Sequence, residues 1–139
     1  MPSRSLLPAL LAVLALPALA QTAPDAPSAI CAPITVKGKV VGPANAAIPG
    51  GARLDMRLYD SGLADAPASM TTAARIERPV RGRFPIAYTL KSGASRCLHM
   101  PAVSATITHR GKLLFLNDTS IQVSRQGADG VDVPVIRVK

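Results

Sequence analysis

Two cysteines, two histidines and a scatter of carboxylates are the side chains whose chemistry could build a site, and their spacing limits what they can do. Cys31 and Cys97 lie far apart, with neither the Cys-x-x-Cys spacing of a redox or metal pair nor a histidine cluster nearby. His99 stands two residues from Cys97, and His109 falls in the turn-like His109-Arg110-Gly111-Lys112. Neither histidine is placed with a nucleophile and an orienting carboxylate, so no triad forms. Asp60, Asp65 and Asp118 have the chemistry for acid/base work or calcium ligation. Their setting favours structure: Asp60 and Asp65 flank a turn in which short acids cap their own backbone, and Asp118 ends a strand beside Thr119. Asn117-Asp118-Thr119 matches the glycosylation acceptor pattern by accident of its strand-end residues. No catalytic residue, cofactor site or metal site is expected, and the chain is read as non-enzymatic.

The basic residues are the better candidates for function. Lys37, Lys39, Arg53, Arg57 and Arg75 all fall on faces that alternation turns outward, and Arg78, Arg81 and Arg83 crowd one turn-like stretch. With a formal charge of +8, these positions form a candidate binding surface for an anionic envelope surface or an acidic protein. Nucleic acid is not an expected partner. Single-strand binding needs aromatic platforms, and Tyr59, Phe84, Tyr88 and Phe115 are the only aromatic residues, most of them facing the core.

Compartment follows from the first residues. Arg4 precedes the apolar run Leu6 to Leu19, and the small-residue site Ala18-Leu19-Ala20 follows, the pattern of a secretory signal peptide spanning 1–20. The run is broken by Pro8 and Pro17 and is shorter than the ~20 apolar residues of a transmembrane helix. Cleavage near Ala20 leaves 119 residues with fifteen basic and eight acidic groups, a charge of +7, in the periplasm or outside the cell. Cys31 lies eleven residues past Ala20 and is preceded by Ser28-Ala29-Ile30, which is not the lipobox of an acylated cysteine. In an oxidising compartment Cys31 and Cys97 are expected to form a disulfide.

The elements that position these residues are strands. Residues 21–33 carry Pro24, Pro27 and Pro33 and read as an extended arm; the folded domain is expected over 34–139. Ala52, Leu54, Met56 and Leu58 alternate with Arg53, Asp55, Arg57 and Tyr59, the period of a half-buried strand. The same period gives Ile34, Val36 and Val40 inward, a strand over Met70 to Glu77, and Phe84, Ile86, Tyr88 and Leu90 on one face. Val103 to Thr108 and Leu113 to Leu116 form a hairpin. Leu113 to Leu116 is apolar throughout and is read as central and buried on both sides. Ile121 to Ser124 and Val131 to Val138 follow. Turns are read at Gly42 to Gly51, Ser61 to Ala68, Arg78 to Arg83, Lys91 to Arg96 and Gln126 to Gly130. The expected fold is all-β, an antiparallel β-sandwich or small barrel of seven to eight strands.

Leu54 to Pro67, with its Leu63-Ala64-Asp65-Ala66-Pro67 close, then Phe84-Pro85-Ile86-Ala87-Tyr88, Val103 to Ile107, and Gly111-Lys112-Leu113-Leu114-Phe115-Leu116-Asn117-Asp118-Thr119 carry a resemblance. In this order they resemble the YbaY-like family, which takes in the YscW-type lipoproteins that act as pilotins of type III secretion. The resemblance covers Ile34 to Lys139. It implies a β-sandwich envelope domain without catalytic residues; a pilotin binds a segment of a secretin subunit and escorts it to the outer membrane. The chain departs from such lipoproteins in lacking a lipobox. The expected function is that of an exported domain that binds another envelope component, a protein segment or an anionic surface, in a chaperone- or pilotin-like manner. The alternative is a secreted hydrolase inhibitor presenting the Ser61 to Ala68 loop, although +7 would repel a basic target such as lysozyme.

Overall fold

Apolar and polar residues that alternate with period two must expose one row and bury the other, and the chain meets this with two facing sheets. The computed structural model describes residues 31–63, 65–67, 71–93 and 97–139. The expected signal peptide 1–20 and arm residues 21–30 lie outside these residues. Met70 and parts of the expected 61–68 and 91–96 turns lie outside them too.

The strands are β1 (Thr35–Val41), β2 (Ala47–Asp60), β3 (Thr72–Arg83), β4 (Ile86–Lys91), β5 (Pro101–His109), β6 (Lys112–Leu116), β7 (Ile121–Gln122), β8 (Ala128–Pro134) and β9 (Ile136–Arg137). One 3-10 turn, Ser61–Leu63, follows β2. The smaller sheet runs β4-β1-β8. The larger runs β3-β2-β5-β6-β9, with β7 also on β5. The sheets do not close into a barrel, so the sandwich is the architecture.

The row Ala52, Leu54, Met56 and Leu58 is fully buried from β2 and meets Ala105 and Ile107 of β5 and Phe115 of β6. Val36 and Val40 of β1, Leu90 of β4 and Val133 of β8 close the core from the smaller sheet. Each large aliphatic side chain buried in this way contributes about 1.5–3 kcal/mol. Three of the four aromatic residues, Phe84, Tyr88 and Phe115, serve a core otherwise built from small and aliphatic ones. Phe84 meets Phe115 edge to face, with ring centroids 5.1 Å apart, and Arg137 lies over the Phe115 ring at 5.2 Å.

The strands differ from the sequence expectation in four places. β1 and β8 run parallel, with Gly38 opposite Val131 and Lys39 opposite Asp132. This approach requires glycine, because a Cβ on Gly38 would lie 1.8 Å from the Val131 carbonyl oxygen. The expected turn Arg78 to Arg83 is instead the second half of β3, since an edge strand accommodates Pro79. β6 is not central. It lies between β5 and the two-residue β9, and of its residues only Phe115 is buried. The segment read as one strand from Val131 to Val138 divides at Val135, with β8 in one sheet and β9 in the other.

The registers define two ends. β2, β4 and β6 start, and β1, β3, β5 and β8 finish, at the end that carries Gly50. The opposite end carries Asp60.

Candidate binding surface

At the Asp60 end the chain must turn from β2 toward β3 beside the segment that enters β5, and Asp60 fastens the two. Asp60 is 2% exposed, and its carboxylate accepts the backbone N–H groups of Gly62 at 3.0 Å, His99 at 2.8 Å and Met100 at 3.0 Å. Burial pushes the Asp60 carboxyl upward, but the donors from His99, Met100 and Gly62 outweigh it and hold the group below the ordinary carboxylate value. A carboxylate held ionised by three amides is a brace and a poor proton donor. Ser61 extends the brace, with its N–H and its Oγ both donating to the Met100 carbonyl at 2.9 Å.

The disulfide Cys31–Cys97 adjoins this junction, with Cα atoms 5.1 Å apart. It ties the entry to β1 to the entry to β5. Ile34 and Ser92 reinforce it by exchanging hydrogen bonds at 2.9 Å, and Arg125 donates to the His99 carbonyl at 2.9 Å.

The result is a rigid rim carrying two exposed apolar side chains, Leu63 at 44% and Met100 at 51%. Met100 lies against Gly62. Beside them a cleft of about 470 Å³ is lined by Tyr59, Ser61, Leu63, Ala66 and Thr71. Tyr59 belongs to the outer face of the larger sheet, so the cleft runs onto that face.

Three of the five candidate basic residues are brought together there. Arg57 is opposite Arg75, Asp55 opposite Glu77, and Arg53 opposite Pro79. Arg75 donates to Asp55 through Nε at 3.1 Å and Nη2 at 2.6 Å and reaches Glu77 at 3.4 Å. Arg53 meets Glu77 at 3.2 Å, and Arg57 meets Asp55 at 3.4 Å. Burial pushes the Asp55 carboxyl up, yet hydrogen bonds from Arg75 and Arg57 bring it below its ordinary value, while Asp55 raises the Arg75 guanidinium. Two carboxylates therefore balance two of the three arginines. Lys37 and Lys39 are not part of this group: they project from β1, on the outer face of the other sheet.

Neither histidine joins the rim chemistry as a side chain. His99 uses its backbone there, while His109 Nε2 lies 3.1 Å from the Gly50 carbonyl at the far end of β5. A nine-residue strand separates them by about 26 Å. Among the described residues no group of three His, Cys, Asp or Glu is arranged to hold a metal, and no helix is long and apolar enough to cross a membrane. Asp118 accepts from Thr119. Asn117, just past β6, continues the pairing with β5 through Oδ1, which accepts from the Ala105 N–H at 2.7 Å.

The sheet edges carry devices that oppose strand addition. β3 presents Arg75, Glu77 and Pro79. Ala87 of β4 has its carbonyl taken by Arg78 Nη2. β8 carries Asp132 and Pro134, and β9 is two residues long.

No curated protein matches the chain in sequence. Among solved structures, it is similar to an alternative pilotin from the type II secretion system of Vibrio cholerae, at 29% identity and a TM-score of 0.67, covering 78% of this chain and 99% of that one. Residues 32–135 match the model of a family described as type III secretion system lipoprotein chaperones, chaperones rather than enzymes, and with sandwich and sequence in agreement the chain belongs to that YscW family.

Proposed function

We propose that the chain is a pilotin-like chaperone of the cell envelope that binds a short amphipathic segment of an envelope protein, of the secretin kind, at the Asp60 rim. The observation that carries this is the exposure of Leu63 and Met100 on a rim held by the Asp60 carboxylate and the neighbouring disulfide. Apolar groups fixed on a rigid support lose little conformational entropy on binding. Arg57 and Arg75 lie farther along the same outer face, past Tyr59, and suit an acidic flank of the segment. Lys37 and Lys39 lie on the opposite face and take no part in this contact. Family membership and the likeness to a pilotin support the reading.

The test is capture of envelope proteins by the exported chain, native and with Leu63→Asp and Met100→Asp together. One outer-membrane protein retained by the native chain and lost by the variant is expected. Equal retention by both would move the contact elsewhere, and retention of no envelope protein would end the chaperone reading. A lesser loss is expected from Arg57→Glu with Arg75→Glu.

A further inference from the structure

Among the described residues, exposed cations free of carboxylate partners cluster at the Gly50 end of the sandwich, while most carboxylates stand toward the other end. Val80 and His109 both stand opposite Ala52, so the residues that follow them, Arg81 and Arg110, flank the Pro49-Gly50-Gly51 stretch of β2 from its two sides. Strands about 4.8 Å apart put those two backbones about 10 Å from each other. Arg83 lies farther along β3, opposite Ala47, and Lys112 opens β6 opposite His109. All four side chains are exposed. Among the described residues, none of the four pairs with a carboxylate; the ion pairs join Arg53, Arg57 and Arg75 to Asp55 and Glu77. Asp60, Asp65, Asp118 and Asp129 stand toward the opposite end, and Asp132 faces Lys39 on the smaller sheet.

Apolar surface accompanies the cations. Val41 is exposed where β1 finishes, and a cleft of about 410 Å³ lined by Val41, Pro43, Phe84 and Pro85 has Lys39 and Arg83 at its margin. Fixed cations around an apolar floor complement a lipid surface, where phosphates lie just outside acyl chains. The disulfide engages both cysteines, leaving no free thiol in these residues to carry a lipid.

We infer that the Gly50 end docks on the phosphate-bearing surface of an anionic bilayer through Arg81, Arg83, Arg110 and Lys112. Docked so, the molecule directs the Asp60 rim, with Leu63 and Met100, away from the lipid. The contact is separate from the segment-binding reading and does not depend on it.

Vesicle sedimentation tests it with the full exported chain. Binding is expected to phosphatidylglycerol–phosphatidylethanolamine vesicles and to be absent with phosphatidylcholine alone. Arg83→Glu with Arg110→Glu should weaken binding about thirtyfold or more, at about 1 kcal/mol for each cation lost from the interface. Lys37→Glu with Lys91→Glu makes the same change in net charge away from that end, on exposed positions of β1 and β4, and should weaken it less than about threefold. Should the first pair fail to fold, Arg110→Gln with Lys112→Gln replaces it. Equal losses in the two sets would show attraction by net charge alone and overturn the inference, as would no binding to the anionic vesicles.

Discussion

Asp60 and His99 are thirty-nine residues apart in sequence, yet the Asp60 carboxylate accepts the His99 N–H at 2.8 Å and makes the β2 exit and the β5 entry one unit. Asp60→Asn should cost about 2 kcal/mol, the worth of charge-assisted bonds to amides, and Asp60→Ala more, because three donors lose their acceptor. Denaturant melts give both numbers. The folded-state value of this carboxyl is depressed, so its stabilisation is present above the ordinary carboxylate range. It is lost as pH falls from about 4 through that depressed value. Wild-type stability should therefore drop with acid in this range, and the Asp60→Asn variant should drop less.

Tyr88 sets the alkaline limit. Burial pushes its hydroxyl up to about 12, with the charge of Asp132 adding to the effect, and it donates to the Val131 carbonyl at 2.9 Å. A raised value favours the protonated fold, so this stabilisation is complete below about pH 10 and is lost as pH rises toward 12. Tyrosinate absorbance should show one group ionising near pH 12, and Tyr88→Phe should remove that step.

The Cys31–Cys97 bridge closes a span of 66 residues, for which chain entropy gives about 4 kcal/mol. Cys31→Ala with Cys97→Ala should lower the unfolding free energy by about that amount. Reducing agent should reproduce the loss in the wild type and leave the variant unchanged.

Gly38→Ala should cost about 3 kcal/mol, since the added methyl meets the Val131 backbone rather than a movable side chain. Among the described residues, Gly93 has no atom within 4 Å of such a Cβ, and Gly93→Ala should change stability by less than about 1 kcal/mol. Paired denaturation curves distinguish them.

Facing was legible in the sequence where neighbours were not. The buried row Ala52 to Leu58 follows from period two, because a one-residue slip would exchange core and solvent faces. Alternation says nothing of which strand lies alongside, so the parallel β1–β8 pair and the edge position of β3 had no local signal. Pro79 and Gly82 look like a turn until β3 is known to be an edge. The outward arginines were legible; their partial neutralisation was not, since it depends on the register that sets Glu77 opposite Asp55. The brace at Asp60 was half legible. An acid capping its own turn was expected, and Gly62 supplies that bond. The amides of His99 and Met100 arrive from a segment that only the folded sheet brings near.

The parallel β1–β8 pair also governs the order in which the molecule can assemble. Lys39 and Asp132 are partners across more than ninety residues, so β1 can recruit β4 early but has one side open until the end of the chain is available. Contacts of such separation slow folding, because loop closure precedes any gain from pairing. A chain emerging from its N-terminus would carry an unfinished three-stranded sheet throughout its synthesis. Truncation before Ala128 should therefore remove far more than a terminal strand: the half-built sheet would keep its apolar face and open edge in water, and aggregation rather than a smaller folded domain is the expected fate.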